Sequence, residues 1–298
     1  MLSDVLASGR FVVTAELGPP VDPDAELVRR AARALAPVVD AANVTDNQAA
    51  TVKLSPLACS AWMLEEDLEP IMQVTGRDRN LMALQSDLLA AWALGVRTVL
   101  GLTGDPLKVG KYEGLATQVG DVDSLKLAEL IIALNEGRLA AGEELSQPTG
   151  FLVAGAANPL VDQLGKLEAK LEAGVGLFQT NIVYDVARFA AWWEPMVAAG
   201  VHERAPLLVG VTPPRSTRML QFMHDKIPGI EVDDATFARI DGLEGDDAKT
   251  AGVEIAVDVI NGVRELPGIA GVHIMAPGWE TEAVPRVVEG AGLERSVT

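Results

Sequence analysis

Short apolar runs that stop at turn residues alternate along this chain with longer segments whose apolar residues return every three or four positions. The runs are FVVTAE (11–16), VVDAANVT (38–45), EPIMQVT (69–75), RTVLGLT (97–103), GFLVAGAA (150–157), LFQTNIV (177–183), PLLVGV (206–211) and GVHIMA (271–276). Their length and near-continuous apolarity predict strands buried on both faces. Segments such as DRNLMALQSDLLAAWALG between them predict helices. Gly95, Gly174 and Gly200 each close a helical segment just before a strand, where a left-handed cap is expected. Eight such alternations predict an α/β fold, a closed parallel (β/α)8 TIM barrel forming a single domain over residues 1–298. The acidic stretch DGLEGDDAKT (241–250) is expected to join two helices between strands seven and eight.

In a barrel of this kind the reactive site is built at the C-terminal ends of the strands, so the last polar residue of each strand is a candidate. These residues are Glu16, Thr45-Asp46-Asn47, Gln73 and Thr75, Thr103 and Asp105, Asn158, Gln179-Thr180-Asn181, and Thr212. Glu16 and Asp105 are expected in apolar surroundings among amides and hydroxyls. That arrangement raises the pKa of one carboxyl for proton donation while the other stays ionised. Glu16 has no Lys or Arg close by in sequence to explain a carboxylate in a strand. Gly-Asp-Pro at 104–106 is equally an ordinary turn, so for Asp105 both readings stand at this point.

Composition narrows the chemistry. With 49% apolar residues in 298, the chain can bury a large core without staples. A net charge of −18 repels phosphate backbones and anionic lipid, which argues against nucleic-acid and membrane partners. An N-terminus without a basic leader, and no apolar run long enough for a membrane span, predict a cytoplasmic location. One cysteine, Cys59, and three scattered histidines make no metal or iron–sulfur site. Any electron carrier is then organic or belongs to a partner.

AELGPP (15–20), NVTDN (43–47), LTGDP (102–106), EAGVGLFQTNIVYD (172–185), VGVTPP (209–214) and GVHIMAPGWE (271–280) occur in this order and at barrel spacing. Together they resemble the methylenetetrahydrofolate reductases, flavin-dependent barrels of one-carbon metabolism and methionine biosynthesis, in their short bacterial branch. The resemblance implies a ping-pong reduction of 5,10-methylenetetrahydrofolate to 5-methyltetrahydrofolate. It implies Glu16 and Asp105 as catalytic residues, Glu16 being the general acid at N10 of the folate and Asp105 the acceptor for the pterin ring. For the cofactor, FAD or FMN in its place, it implies Thr45, Gln73, Thr103, Asp105, Asn158 and Lys170. For the folate it implies Glu16, Asp105, Asn181 and Met223, the last covering the substrate. Many family members carry His on strand three and Arg before the Gly-Asp, where this chain has Gln73 and Thr103. Implied partners are the folate and NAD(P)H or an electron-donor protein; separately, the apolar segment RFAAWWEPMVAAG (188–200) leaves open both a homo-oligomer and packing on the barrel. A second reading is a flavin-free folate-binding barrel that serves as a subunit or methyl-carrier partner of a larger complex. A third is a lyase or aldolase, against which stands the lack of a lysine within any strand.

Overall fold

The computed structural model describes residues 1–227 and 229–293. The eight apolar runs form β1 (Val12–Leu17), β2 (Ala41–Val44), β3 (Pro70–Thr75), β4 (Thr98–Leu102), β5 (Leu152–Ala157), β6 (Leu177–Ile182), β7 (Leu207–Val211) and β8 (Ile269–Ile274). All pair in parallel in chain order, and β1 also pairs with β8, so the sheet closes into a barrel. The helices in chain order are α1 (Leu2–Ala7), α2 (Ala25–Leu35), α3 (Pro56–Leu64), α4 (Leu81–Leu94), α5 (Ser124–Asn135), α6 (Leu164–Glu172), α7 (Val186–Ala198), α8 (Val201–Arg204), α9 (Thr217–Lys226), α10 (Asp234–Ile240), α11 (Gly245–Arg264) and α12 (Glu280–Gly290). The (β/α)8 expectation holds. The second strand is shorter than expected because the amides of Val38 and Val39 still bond back to Leu35 at the end of α2. The acidic stretch does join α10 to α11, but its second half is helical: Asp246 and Asp247 lie in the first turn of α11, where the helix dipole favours them.

Gly95, Gly174 and Gly200 have φ of 105°, 94° and 73°, the left-handed conformation anticipated for the helix ends. At Gly174 a side chain is excluded twice over, since a Cβ there would fall 2.3 Å from Cγ1 of Ile132.

Because side chains alternate along a strand, every second residue points into the barrel. Val12, Ala41, Ile71, Leu100, Ala154, Leu177 and Leu208 make an apolar floor, sealed from below by Leu2 of α1. The alternate face of each strand packs against the helices in the main core, which includes Val13, Val44, Met72, Val99, Val153, Phe178, Val209 and Val272. Cys59 of α3 belongs to this outer core, and burial pushes its thiol up to about 12. Among the described residues, no helix is long and apolar enough to cross a membrane.

Candidate active site at the strand ends

Two residues above the floor, four of the inward positions turn polar. Thr14 follows Val12, Asn43 follows Ala41, Gln73 follows Ile71 and Gln179 follows Leu177. All four are buried. Asn43 and Gln179 bond to each other across the barrel, and the Thr14 hydroxyl lies 3.0 Å from Nδ1 of His273 on β8. Burial lowers the His273 pKa to about 3, so this ring is neutral. One step further up, Glu16 ends the inward row of β1 with only 7% of its surface exposed. Burial raises its pKa to about 7. A hydrogen bond from the Gln48 side chain opposes that rise, and the like charge of Glu280, at the head of α12, adds to it. A carboxyl balanced near neutrality is suited to deliver a proton at physiological pH.

The turn that carries Gln48 is backbone-strained. Asn47, Ala49 and Ala50 have φ of 46°, 53° and 48°, each costing roughly 1–2 kcal/mol for a residue with a Cβ. The charges just after β3 hold it down. Arg77, 2% exposed, donates to the carbonyls of Asn47 and Asp105 at 3.1 and 3.0 Å and pairs with Asp78. Asp46, also buried, accepts from the Thr75 amide and hydroxyl at 2.8 and 3.0 Å and takes a two-pronged ion pair from Arg79. Arg77, Arg79, Gln48 and Glu280 were not singled out from the sequence. The run GRDRN (76–80) was the available signal, two arginines directly after a strand end.

Asp105 departs from expectation. It is exposed rather than embedded in apolar surroundings, and its Oδ2 accepts the Ala49 amide at 2.8 Å. The reason is local: β4 ends at Leu102, and the following Gly104, at φ 90°, turns the chain outward. Thr103 is likewise exposed and accepts from the Ser124 amide at the start of α5. Met223, expected over the substrate, is 3% exposed and packed with Tyr184, Leu220 and Ile240, its sulfur 3.9 Å from the Tyr184 hydroxyl. Its neighbour Phe222 is an exposed apolar residue of α9, at 58%.

Asn158 and Asn181 do come together. The register of β6 against β7 slips between Gln179 and Ile182, and such bulges re-aim side chains at barrel rims. Gly229 rests on both amides, where a Cβ would fall 2.1 Å from Nδ2 of Asn158 and 2.8 Å from Nδ2 of Asn181. Thr45 and Gln73 are buried at the ends of β2 and β3, and their side chains make no hydrogen bond within the described residues. Lys170 of α6 lines a cavity of about 180 Å³ with Thr103, Ser124 and Ala156. Its ammonium donates to the Ala156 carbonyl and stands 3.7 Å from Asp162; burial lowers its pKa while Asp162 works the other way. Uncommitted hydroxyl and amide groups at the mouth, with one cation at its edge, fit the donor set a flavin requires.

A sequence profile described as methylenetetrahydrofolate reductase matches residues 1–292. The chain is 25% identical over 248 residues to methylenetetrahydrofolate reductase 1 of Schizosaccharomyces pombe, an alignment covering 81% of this chain and 38% of that protein. It therefore spans well under half the length of that curated relative. Among solved structures, an uncharacterized protein from Clostridium thermocellum that binds two copies of 5-methyl-5,6,7,8-tetrahydrofolic acid superposes with a TM-score of 0.69. The two chains are 14% identical over 97% of each, so the likeness is one of fold.

Proposed function

The chain belongs to the methylenetetrahydrofolate reductase family, and on that footing we propose that it reduces 5,10-methylenetetrahydrofolate to 5-methyltetrahydrofolate, with Glu16 as the proton donor and a flavin, FAD or FMN, as cofactor. The observation that carries the reading is the buried Glu16 carboxyl, balanced near neutrality at the barrel mouth. Protonated Glu16 delivers its proton to N10 of the folate, which opens the methylene bridge to an electrophilic iminium. The flavin, when bound, supplies the hydride chemistry. Thr45 and Gln73 offer it hydrogen-bonding groups, and Lys170 offers its phosphates a positive charge. Asn181 and Asp105 would contact the pterin, Asn158 would contribute to holding the cofactor, and NAD(P)H or a partner protein would supply electrons. A cytoplasmic location belongs to the same reading.

The visible spectrum of the purified protein, followed by release and identification of any chromophore, tests this first. About one equivalent of FAD or FMN supports the reading. Glu16→Gln should then abolish folate reduction while the flavin is still reduced by its donor; equal loss of both half-reactions removes Glu16 from the proton-donor role.

A second reading is favoured by two observations: Asp105 is turned outward onto Ala49, and Lys170 is engaged by Ala156. A flavin-free barrel that binds reduced folate for a larger one-carbon complex needs neither residue at the mouth. A colourless protein that binds 5-methyltetrahydrofolate and refuses added flavin would establish it.

A further inference from the structure

The loops after β2, β3 and β4 meet on one buried side chain, that of Arg77. Its Nε and Nη2 hold the two oxygens of Asp78, both at 2.6 Å. Nη2 also donates to the carbonyl of Asn47 after β2 at 3.1 Å, and Nη1 donates to the carbonyl of Asp105 after β4 at 3.0 Å. The Arg77 carbonyl in turn accepts the Val119 amide at 2.9 Å, which pins the returning part of the long segment between β4 and α5. Gly104, left-handed at φ 90°, lets the chain close on this residue, since a Cβ there would fall 2.9 Å from Cβ of Arg77.

These ties converge on the Asp105 carboxylate. Its Oδ2 accepts the Ala49 amide at 2.8 Å, and Ala49 lies in the left-handed turn whose Asn47 carbonyl Arg77 also holds. One side chain thus fixes both the backbone that carries the carboxylate and the turn that anchors it. Oδ1 accepts no hydrogen bond within the described residues. Asp105 therefore reaches from the loop after β4, across the end of β3, to the loop after β2, with one oxygen anchored and the other open.

We propose that Arg77 is a positioning residue for the pterin: by tying Asn47 to Asp105 it presents the open oxygen of Asp105 to the N–H donors on the aminopyrimidinone edge of the ring. The proposal rests on the pterin contact proposed above for Asp105. Arg77 contributes position rather than charge. Its charge is matched by both oxygens of Asp78, and what it gives Asp105 is a bond to the main chain. A planar fork can serve Asp78 and two carbonyls at once, which a lysine ammonium cannot.

The experiment measures the affinity of the full chain for 5-methyltetrahydrofolate by fluorescence titration, in the parent, Arg77→Lys, Asp105→Ala and the double variant. Arg77→Lys keeps the positive charge and loses the fork. Asp105→Ala should bind about tenfold more weakly or worse, the worth of a charge-assisted hydrogen bond. Arg77→Lys should weaken binding about fivefold in the parent and less than about twofold in the Asp105→Ala background, because the second change removes what the first had positioned. A loosened rim would instead lower affinity by the same factor in both backgrounds, so this coupling separates positioning from a purely structural part. Parent affinity in Arg77→Lys, or equal losses in the two backgrounds, overturns the proposal. If Arg77→Lys does not fold, Gly104→Ala takes its place under the same criteria, since its Cβ pushes the Asp105 segment off Arg77. A parent that binds no folate overturns the proposed function together with this inference, parent affinity in Asp105→Ala removes the pterin contact and this inference with it, and folate binding without coupling overturns this inference alone.

Discussion

Asn43 and Gln179 exchange two hydrogen bonds across the barrel interior, Asn43 Nδ2 to Gln179 Oε1 at 2.7 Å and Gln179 Nε2 to Asn43 Oδ1 at 3.1 Å. The pair ties β2 to β6, strands that are not neighbours in the sheet, and it marks the level where the apolar floor gives way to the polar mouth. Each amide satisfies the other, so removing one leaves a buried partner unmet. Asn43→Leu is expected to cost about 1–3 kcal/mol in urea unfolding, and adding Gln179→Leu should recover part of the loss. A double variant as weak as the sum of the single ones would mean the two amides stabilise the barrel independently.

The ion pair between Asp46 and Arg79 is expected to matter more for stability than any surface pair. The Asp46 side chain is fully enclosed and accepts from three groups, Arg79, the Thr75 amide and the Thr75 hydroxyl. Asp46→Ala should cost about 3–5 kcal/mol, the loss seen when one member of a buried, hydrogen-bonded pair is removed. Arg29→Ala, at the partly exposed pairs with Glu65 and Glu66 on the helical shell, should change the unfolding midpoint less.

Glu16 ought to impose a cost on folding that its replacement relieves. Its folded pKa, about 7, lies above its ordinary value of 4.5, so between those limits the folded state holds more protons and stability falls as pH rises. Below pH 4.5 the group is neutral in both states and contributes nothing. Above pH 7 the full penalty applies, about 3 kcal/mol for this shift. Glu16→Gln should therefore unfold at a higher temperature than the parent at pH 8 and at the same temperature near pH 4. A parent protein with no stability deficit at pH 8 would place the carboxyl in water.

His273 should tilt the acid side the other way. Its folded pKa of about 3 lies below the ordinary 6.5, so the unfolded state gains a proton first and stability is lost as pH falls from 6.5 towards 3. The slope for one such group is about 1.4 kcal/mol per pH unit. His273→Gln should flatten the acid limb of the denaturation curve by one proton. Between pH 4.5 and 6.5 Glu16 and His273 nearly cancel, so the parent curve should show a plateau there that either variant removes.

Lys170→Met tests the cofactor site without turnover. If the ammonium serves a flavin phosphate, binding should weaken about tenfold to a hundredfold, the worth of a charge-assisted hydrogen bond. Fluorescence titration with FAD and FMN measures it. Unchanged affinity for both would leave Lys170 as a tie between α6 and the end of β5.

Much of this architecture was readable in the chain because it depends on local pattern. Apolar runs located all eight strands, and the alternation that places Glu16 two residues beyond Thr14 and four beyond Val12 put it at the mouth. Met223, expected over the substrate, carried a local signal for its packing that the resemblance overrode: Leu220 and Met223 share a helical face three residues apart, and Phe222 falls away from it. What could not be read was partnership at long range. The fate of Asp105 is set by a peptide 56 residues away, and Arg77 is buried because two backbone carbonyls from separate loops meet it. Backbone acceptors leave no mark in the side-chain sequence.

Cys59 is the chain's sole cysteine, and its enclosed thiol is held almost wholly in the unreactive protonated form. Nature has thus supplied a labelling background that usually has to be engineered. A cysteine placed at exposed Gln48 or Phe222 would take up one maleimide dye with no competing native thiol, so the movement of either segment could be followed by fluorescence in an otherwise unaltered chain.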